Sequence, residues 1–530
     1  MGDRSAMTKS RRSVVRSKNG MIATSQPLAA AAGLEVLMKG GNAVDAAVAA
    51  SAVLGVVEPF ACGIGGDTFA LYWDAKKQEL IGLNGSGRSA MTIDAEKLKK
   101  DEGFTTMPMT GVHTITVPGA VDAWDVLLNR YGTMPLKELL QPSIHYAREG
   151  FPVTDIIAQQ WKMKKATLIT DEAKRVFLND GKPPKSGDVF RIPDLANSLE
   201  LIANEGKSVF YEGKLAKDMC ECMEKLGGSL TEEDFKKHVS SWVEPISTNY
   251  KGYDVYELPP NGQGAMVLEM LNILEDYDLK ALGHNSADYM HLIIEAKKAA
   301  FSDRAKYIAD PDFADLPINK IISKEYAKER RKIINMEKAS SMSDWEWKSS
   351  NTSYISVADR YGNVLSFITS IYRVFASGIV PHGTGILMQN RGELFSLEKG
   401  HFNYLEPGKR PLHTIIPAMV LKDGKPWFSF GVMGGDMQPA GHVQVLLNII
   451  EFGMDAQEAG ESPRVCHMPK GVALEQDIPW QERLKLIEKG HTIINDFDVF
   501  GGYQGILINQ ENGTFEGGSD DRKDGCAIGY

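Results

Sequence analysis

A threonine at the start of a predicted hairpin is the residue of this chain best placed for nucleophilic chemistry. Residues 352–357 have a β pattern, residues 359–363 are turn formers, and residues 364–370 alternate again, which predicts two antiparallel strands. A polar linker, residues 336–351, precedes Thr352. A threonine hydroxyl needs a base, and a chain cut before Thr352 would supply one, because an α-amine has a pKa of about 8. The alternative is a threonine that merely opens a strand, where threonine is common.

The composition is that of a soluble globular protein and argues against several classes of function. The chain has 530 residues, with 43% hydrophobic and 24% charged side chains, and is too long for one ordinary core. Its net charge of −10 argues against a nucleic-acid partner. Its apolar runs are too short to span a membrane, and the N-terminus lacks the apolar core of a secretory signal, so we expect a cytoplasmic location.

The cysteines do not indicate a metal site or a disulfide framework. Their spacing fits neither pattern, and their odd number argues against an oxidising compartment. We therefore expect no metal and no cofactor. The pair Cys220 and Cys222 lies on a predicted amphipathic helix and is interpreted as structural. The five cysteines are Cys62, Cys220, Cys222, Cys466 and Cys526.

Two glycine motifs suggest nucleotide binding, and neither fits it. Residues 62–66 are glycine-rich, but the P-loop lysine is missing and a strand follows where a helix should begin. Residues 262–264 read G-x-G before a helix, but Val267 stands where the third glycine belongs and no βαβ unit follows.

The elements divide the chain into two parts at Thr352. The part over residues 1–351 is helix-rich with scattered strands, among them one predicted over residues 112–117, and residues 1–20 are expected to be loose. The part over residues 352–530 is strand-rich and contains a second hairpin around Asp423 and Gly424.

From about Gly20 to Tyr530, the chain resembles the γ-glutamyltransferases, which are N-terminal-nucleophile hydrolases. The family's nucleophile is a threonine in a T-[TS]-x-x-S-V pattern, and residues 352–357 read TSYISV. Many further segments match in the same order. They are residues 39–47, 55–59, 63–66, 117–119, 140–142, 147–152, 210–213, 274–275, 409–412, 434–435 and 524–530.

The resemblance implies an αββα sandwich built from two segments of one precursor, with both helices and strands in each. Thr352 would cut the Asn351–Thr352 bond, leaving a large subunit, residues 1–351, and a small one, residues 352–530, which stay associated. The new Thr352 would then attack a γ-glutamyl amide such as glutathione, and water or an amino-group acceptor would resolve the acyl-enzyme. Ser370 takes the place of the family's second hydroxyl. Gly434 and Gly435 suit an oxyanion hole, or else they form a tight strand-to-helix turn.

The part of the family pattern that holds the glutamate does not match. An arginine of the family falls at Gly85, with Arg88 the nearest alternative, and an aspartate falls at Leu394, beside Glu393. An asparagine of the family is replaced here by Tyr372, and a serine pair of the family is replaced by His413 and Thr414. His413 could equally be a histidine packed in the core. The candidate substrate-binding residues are therefore Arg88, Tyr372, Glu393, His413 and Thr414.

Three functions remain open from the sequence. The leading one is a self-cleaving γ-glutamyl hydrolase or transferase. The second keeps the chemistry but takes glutaryl-type amides, as in cephalosporin acylases of this fold. The third is a catalytically silent relative that binds a small acid. No nucleic-acid or membrane partner is expected, and a higher homo-oligomer is left open.

Overall fold

A computed structural model describes residues 12–341 and 350–530, in which two antiparallel seven-stranded sheets dominate. Sheet I contains, in spatial order, Cys526–Gly529, Met21–Thr24, Ser353–Ala358, Val364–Ser370, Asp67–Asp74, Glu79–Gly85 and Ser241–Val243. Sheet II contains Val15–Ser17, Phe515–Ser519, Gly502–Ile508, Lys425–Met433, Ala418–Lys422, Tyr253–Glu257 and Ile246–Tyr250. Two small sheets add Val465–Met468, Gly471–Leu474 and Ile493–Ile494, and Phe151–Pro152 with Val189–Phe190.

Helices cover the outer faces of both sheets. The α-helices are Pro27–Met38, Ala43–Val57, Ala95–Asp101, Ala120–Tyr131, Leu136–Leu139, Gln141–Glu149, Asp155–Lys164, Asp171–Phe177, Pro193–Glu205, Ser208–Tyr211, Lys214–Lys225, Glu232–Lys236, Ala265–Leu274, Leu279–Leu282, Ala287–Tyr307, Ile318–Ile321, Lys324–Arg331, Gln438–Ile450, Ala456–Glu461 and Trp480–Glu488. Short 3-10 helices are Val112–Thr114, Lys165–Thr167, Arg391–Leu394 and Gly435–Met437. Within the described ranges, none of the helices is both long and apolar enough to cross a bilayer.

Three hydrophobic clusters show how the layers stack. Successive side chains of a strand point to opposite faces, so Tyr354 and Ile368 pack against sheet II while Ile355 and Phe367 pack against helices. A third cluster lies on the far side of sheet II, between its strands and helices such as Gln438–Ile450. The order of layers is therefore helix, sheet, sheet, helix, and the predicted αββα sandwich is confirmed.

The predicted hairpin lies in the middle of sheet I. Ser353–Ala358 pairs antiparallel with Val364–Ser370, in a register that sets Ser353 opposite Thr369. The same strand pairs on its other side with Met21–Thr24, so chain from both sides of residue 352 builds one sheet. The boundary at 351/352 therefore lies immediately before a central strand, and both predicted subunits contribute strands to sheet I.

The structure corrects two predictions about local structure and leaves one partly outside its range. Residues 1–20 are not all loose, because Val15–Ser17 pairs with residues 515–517 at the edge of sheet II. The strand predicted over residues 112–117 is wrong: Val112–Thr114 forms a 3-10 turn, in which the Thr114 hydroxyl donates to the Gly111 carbonyl oxygen at 2.7 Å. Of the linker, residues 342–349 lie outside the described residues.

A contact between the two sheets gives the first testable prediction. A Cβ added at Gly431 of sheet II would lie 2.4 Å from Cδ2 of the buried Tyr354 ring in sheet I. Overpacking of this kind costs about 1–3 kcal/mol, so Gly431→Ala should lower the free energy of unfolding by that amount, measured by urea unfolding. In a Tyr354→Leu background the same substitution should cost much less. An equal cost in both backgrounds would contradict the contact.

Candidate active site

Thr352 is the residue immediately before the central strand of sheet I, and it is buried. The hairpin register places it opposite Ser370, with its Oγ1 3.4 Å from Ser370 Oγ. Both hydroxyls donate to the carbonyl oxygen of Asn351, Thr352 at 2.7 Å and Ser370 at 3.0 Å. The peptide bond between Asn351 and Thr352 is thus held against two hydroxyl groups, one of them its own.

Three further hydrogen bonds fix Asn351. Its N–H donates to the Tyr372 carbonyl oxygen at 2.9 Å, and its Nδ2 donates to Oε1 of Gln160 at 3.0 Å. Its Oδ1 accepts from the N–H of Thr352 at 2.9 Å. The carbonyl cannot swing away from the hydroxyls without breaking these bonds.

Arg391, which sequence reasoning missed, joins Ser370 to Thr414. Its Nη2 donates to Ser370 Oγ at 3.2 Å and its Nη1 to Thr414 Oγ1 at 2.8 Å. The guanidinium lies over the ring of Tyr372, 4.5 Å from the ring centroid. Arg391 is fully buried, and burial lowers its pKa to about 10, so it is still a cation at neutral pH. We call Thr352, Ser370, Tyr372, Arg391 and Thr414 the hydroxyl–arginine cluster.

Tyr372 and Thr414 are the two predicted substrate residues that the structure brings to this cluster. Tyr372 has a positive φ of 82°, and its N–H donates to Ser370 Oγ at 2.8 Å. Its hydroxyl is buried and has no hydrogen-bond partner among the described residues. Thr414 is fully buried beside Arg391. Whether either binds substrate stays a prediction.

His413 faces a buried aspartate. Its Nε2 lies 3.0 Å from Oδ2 of Asp67, which stands opposite Ser370 in sheet I. Burial, helped by the nearby Arg391 cation, lowers the pKa of His413 to about 3, so the imidazole is neutral and Nε2 is the donor. The other oxygen of Asp67 accepts from the N–H groups of Gly87 and Gly119 and from Gln389. Sequence reasoning missed Asp67 as the partner that fixes this histidine.

Glu393 and Arg88 are both held by oppositely charged side chains. Glu393 is buried in an ion pair with Arg373, and it also accepts from Asn390 at 3.3 Å. Arg88 pairs with Asp310 at 3.2 Å and Asp312 at 2.8 Å. No hydrogen bond among the described residues links Arg88 to the hydroxyl–arginine cluster. Its assignment to substrate binding stays a prediction that this geometry does not favour.

Gly434 and Gly435 form a left-handed turn between a strand of sheet II and a helix. Their φ angles are +117° and +59°, which favour glycine, and the turn opens the helical segment before Gln438–Ile450. Amide N–H groups at such a start lack intrahelical partners and can face an anion. Gln263 ties the turn to the cluster, because its Nε2 donates to the carbonyl oxygens of Gly435 at 3.0 Å and Thr414 at 2.7 Å.

A cavity of about 300 Å³ leads to this region from outside. Asn351 and Gly434 line it, together with Gln160, Arg373 and Lys523. Thr352 itself is only 1% exposed. In the intact chain the cavity therefore ends at Asn351, with the threonine behind it.

One group of described residues has the composition of a metal site. His291, Glu295 and His491 bring ligand atoms within 4.8 Å of one another. However, the two imidazoles are hydrogen-bonded at 2.8 Å, and Glu295 accepts from Lys298 at 2.7 Å. These bonds satisfy the polar groups without an ion, which indicates a structural role for the cluster.

Four layers in the order αββα, with a hydroxyl residue at the start of a central strand, define the N-terminal-nucleophile hydrolase class of amidohydrolases. The γ-glutamyltranspeptidase family model matches residues 29–530, and the chain belongs to this family.

Three relatives illustrate the range of the family. The chain is 39% identical over 528 residues to the glutathione hydrolase-like YwrD proenzyme of Bacillus subtilis (strain 168), covering 98% of this chain and 99% of that one. It is 36% identical to the acylase ACY 1 proenzyme of Pseudomonas sp. (strain SE83), covering 96% and 93%. The crystal structure of cephalosporin acylase from Bacillus halodurans superposes with a TM-score of 0.92 at 43% identity, covering 100% and 99%.

The buried histidine predicts an acid sensitivity. In the unfolded chain His413 has its ordinary pKa of 6.5, and in the folded chain the pKa is about 3. Between these values the unfolded state binds more protons, so stability falls as the pH is lowered below 6.5, by up to about 1.4 kcal/mol per pH unit. Urea unfolding from pH 6.5 to 5 should show this slope, and His413→Gln should reduce it. The other buried histidines titrate in both proteins, so an unchanged slope would contradict the assignment.

Proposed function

We propose that the chain is a precursor that cuts itself at Asn351–Thr352. The observation that carries this proposal is the placement of Thr352 Oγ1 and Ser370 Oγ on the Asn351 carbonyl oxygen. Attack of Thr352 Oγ1 on that carbonyl carbon forms a C–O bond and breaks the C–N bond. The peptide becomes an ester, and the Thr352 nitrogen becomes a free amine. Water then hydrolyses the ester, leaving a carboxylate on Asn351 and restoring the hydroxyl.

Ser370 stabilises the negative charge that develops during this step. Ser370 Oγ already donates to the carbonyl oxygen of Asn351 in the ground state, and it accepts a hydrogen bond from Arg391. A hydrogen bond to a group that becomes charged strengthens as the charge forms. Ser370 backed by Arg391 is therefore the donor for the oxyanion of self-cleavage.

The mature enzyme reuses the same hydroxyl on an amide substrate. The freed α-amine of Thr352 has a pKa of about 8, so enough of it is neutral at physiological pH to accept the hydroxyl proton. Attack gives a tetrahedral intermediate, and the amine passes its proton to the leaving nitrogen. Water, or an amino group in transfer, then releases the acyl group from Thr352. The amides of Gly434 and Gly435 are the proposed donors for the oxyanion of this reaction.

We further propose that the acyl group is a small carboxylic acid, either γ-glutamyl or glutaryl. The family relatives include both a glutathione hydrolase-like protein and acylases. The pocket has no room for an arginine at Gly85, which would bind the carboxylate that both acyl groups carry, since a Cβ there would lie 2.6 Å from the Thr68 carbonyl oxygen. Recognition of the α-amine is weakened by a different feature. Glu393 is already engaged by Arg373 and Asn390. These observations favour a pocket that accepts glutaryl as well as γ-glutamyl amides.

The processing step is tested by a denaturing gel. The purified protein should give two fragments in place of one 530-residue chain, and N-terminal sequencing of the smaller should begin Thr-Ser-Tyr-Ile. Thr352→Ala should stay a single, inactive chain because both steps use one hydroxyl. Thr369→Val is the matched control: it removes a neighbouring hydroxyl that contacts Thr68 and Asp67, and it should still be cleaved. An intact chain with full activity would refute the proposal, and an intact chain without activity would favour a silent relative.

The substrate step is tested with two chromogenic amides that differ only by the α-amine. We expect kcat/KM for γ-glutamyl-p-nitroanilide and glutaryl-p-nitroanilide to agree within about tenfold, because Glu393, the acid beside the family's aspartate position, is already engaged by Arg373 and Asn390. Tenfold corresponds to about 1.4 kcal/mol. A preference of about a thousandfold for the γ-glutamyl compound, or about 4 kcal/mol, would mean that another residue recognises the amine. That result would support the γ-glutamyl function and contradict the proposal that the pocket accepts glutaryl amides equally well.

A further inference from the structure

We propose that Arg391 binds the carboxylate of the acyl group and makes the mature enzyme selective for amides of short dicarboxylic acids. This inference rests on the proposed function. It deepens that function by naming the residue that supplies the positive charge missing at Gly85. The Ser370 hydroxyl contacts both this charge and the proposed nucleophile.

The buried charge of Arg391 points to an anionic ligand. Its side chain is fully buried, yet among the described residues no carboxylate oxygen lies within ion-pair distance of it. The two nearby acids are engaged elsewhere: Asp67 by His413, Gln389 and two backbone amides, and Glu393 by Arg373. A buried cation without a contacting anion is costly, so retaining one favours a site that an anion completes.

Two hydrogen-bond donors at the same place are unused among the described residues. Nε of Arg391 is buried and has no acceptor within the described ranges, and the buried hydroxyl of Tyr372 has no partner there either. The guanidinium lies on the Tyr372 ring, so these two donors belong to one small region. A guanidinium offers a planar fork of N–H donors that matches a carboxylate. The ligand that this region lacks is therefore an acceptor with negative charge.

Arg391 also lies close to the proposed nucleophile, Thr352. Ser370 Oγ lies 3.4 Å from Thr352 Oγ1 and 3.2 Å from Arg391 Nη2, so a single hydroxyl separates the guanidinium from the nucleophile. A carboxylate held by Arg391 can be only a few bonds from the carbonyl that Thr352 attacks. This spacing selects a short acyl chain with a carboxylate at its far end.

The route to Arg391 depends on self-cleavage. In the intact chain Asn351 lines the cavity, and its carbonyl accepts from Ser370, so Asn351 stands between the cavity and the cluster. Cutting the Asn351–Thr352 bond frees Asn351 to move off the cluster. The acyl group of a substrate then takes the position in front of Ser370 that the Asn351 carbonyl held.

A purely structural role for Arg391, in which it only orients Ser370, makes a different prediction. Loss of that support would slow attack on every amide alike, whatever the charge of its acyl group. Binding of a carboxylate would affect only the acyl groups that carry one. The ratio of two substrates separates these roles in a way that a single rate does not.

The experiment compares glutaryl-p-nitroanilide with pentanoyl-p-nitroanilide, in which a methyl group replaces the carboxylate. For the wild-type mature enzyme we expect kcat/KM to favour the glutaryl compound by at least about thirtyfold, the range of a charge-assisted hydrogen-bonded pair. Arg391→Gln should raise the KM for the glutaryl compound and lower its kcat/KM by about that factor more than it lowers kcat/KM for the pentanoyl compound. Arg391→Lys, which keeps the charge but not the fork, should be intermediate.

The matched control is Arg410→Gln. It removes another buried guanidinium, which donates to Ser86 O and Ser241 Oγ and to no member of the hydroxyl–arginine cluster. Its ratio of the two rates should equal that of the wild type. Binding of glutarate to the mature enzyme, measured by calorimetry, should weaken at least tenfold in Arg391→Gln and stay unchanged in Arg410→Gln.

The outcomes separate the inference from the function beneath it. Glutarate binding that depends on Arg391, without cleavage of either anilide, would support the inference and count against the proposed amidase substrates. Cleavage of both anilides at equal rates by the wild type, or equal losses on both in Arg391→Gln, would overturn the inference and leave the amidase standing. If Arg391→Gln is not processed, Arg391→Lys and the selectivity of the wild type decide the question on the same criteria.

Discussion

The site depends on one constraint, the register of the hairpin in sheet I. Because Ser353 pairs with Thr369, the residue before the strand stands opposite the last residue of the returning strand, and two hydroxyls meet on one carbonyl oxygen. A slip of one residue would turn every side chain of the strand to the other face. Both faces are packed, one against helices and one against sheet II, so such a slip would bury polar groups in two hydrophobic clusters. The core therefore fixes the geometry of the proposed nucleophile, Thr352.

Charged groups around the hairpin are arranged so that most are paired inside the protein. Asp67 is matched by His413 and backbone amides, Glu393 by Arg373, and Asp436 by Arg304. Arg304 also donates to Gln263, which in turn holds the carbonyl oxygens of Gly435 and Thr414. The glycine turn of sheet II and the hydroxyl–arginine cluster of sheet I are thus joined by a chain of polar contacts across the space between the sheets.

Features encoded by neighbouring residues could be read from the sequence. The alternation of residues 352–370, the turn formers between the strands and the paired glycines at 434–435 are local signals, and the structure has all three. The positions of Ser370 and Thr414 relative to Thr352 came from the resemblance to a family. Arg391 and Asp67 could not be found in this way, because their roles depend on contacts between segments far apart in the chain. The strand predicted over residues 112–117 was wrong because a side-chain hydrogen bond to Gly111 favours a turn there.

The shared sheets have a consequence for assembly. Strands from both sides of residue 352 pair with one another in sheet I, and Met21–Thr24 lies between Cys526–Gly529 and Ser353–Ala358. As one chain, these strands find each other at an effective concentration set by the connecting loop. After a cut at residue 352 the same pairing would be an encounter of two separate molecules. Folding before cutting would therefore be faster than assembly from two separate subunits. Once its subunits had been separated, the processed enzyme would refold only slowly.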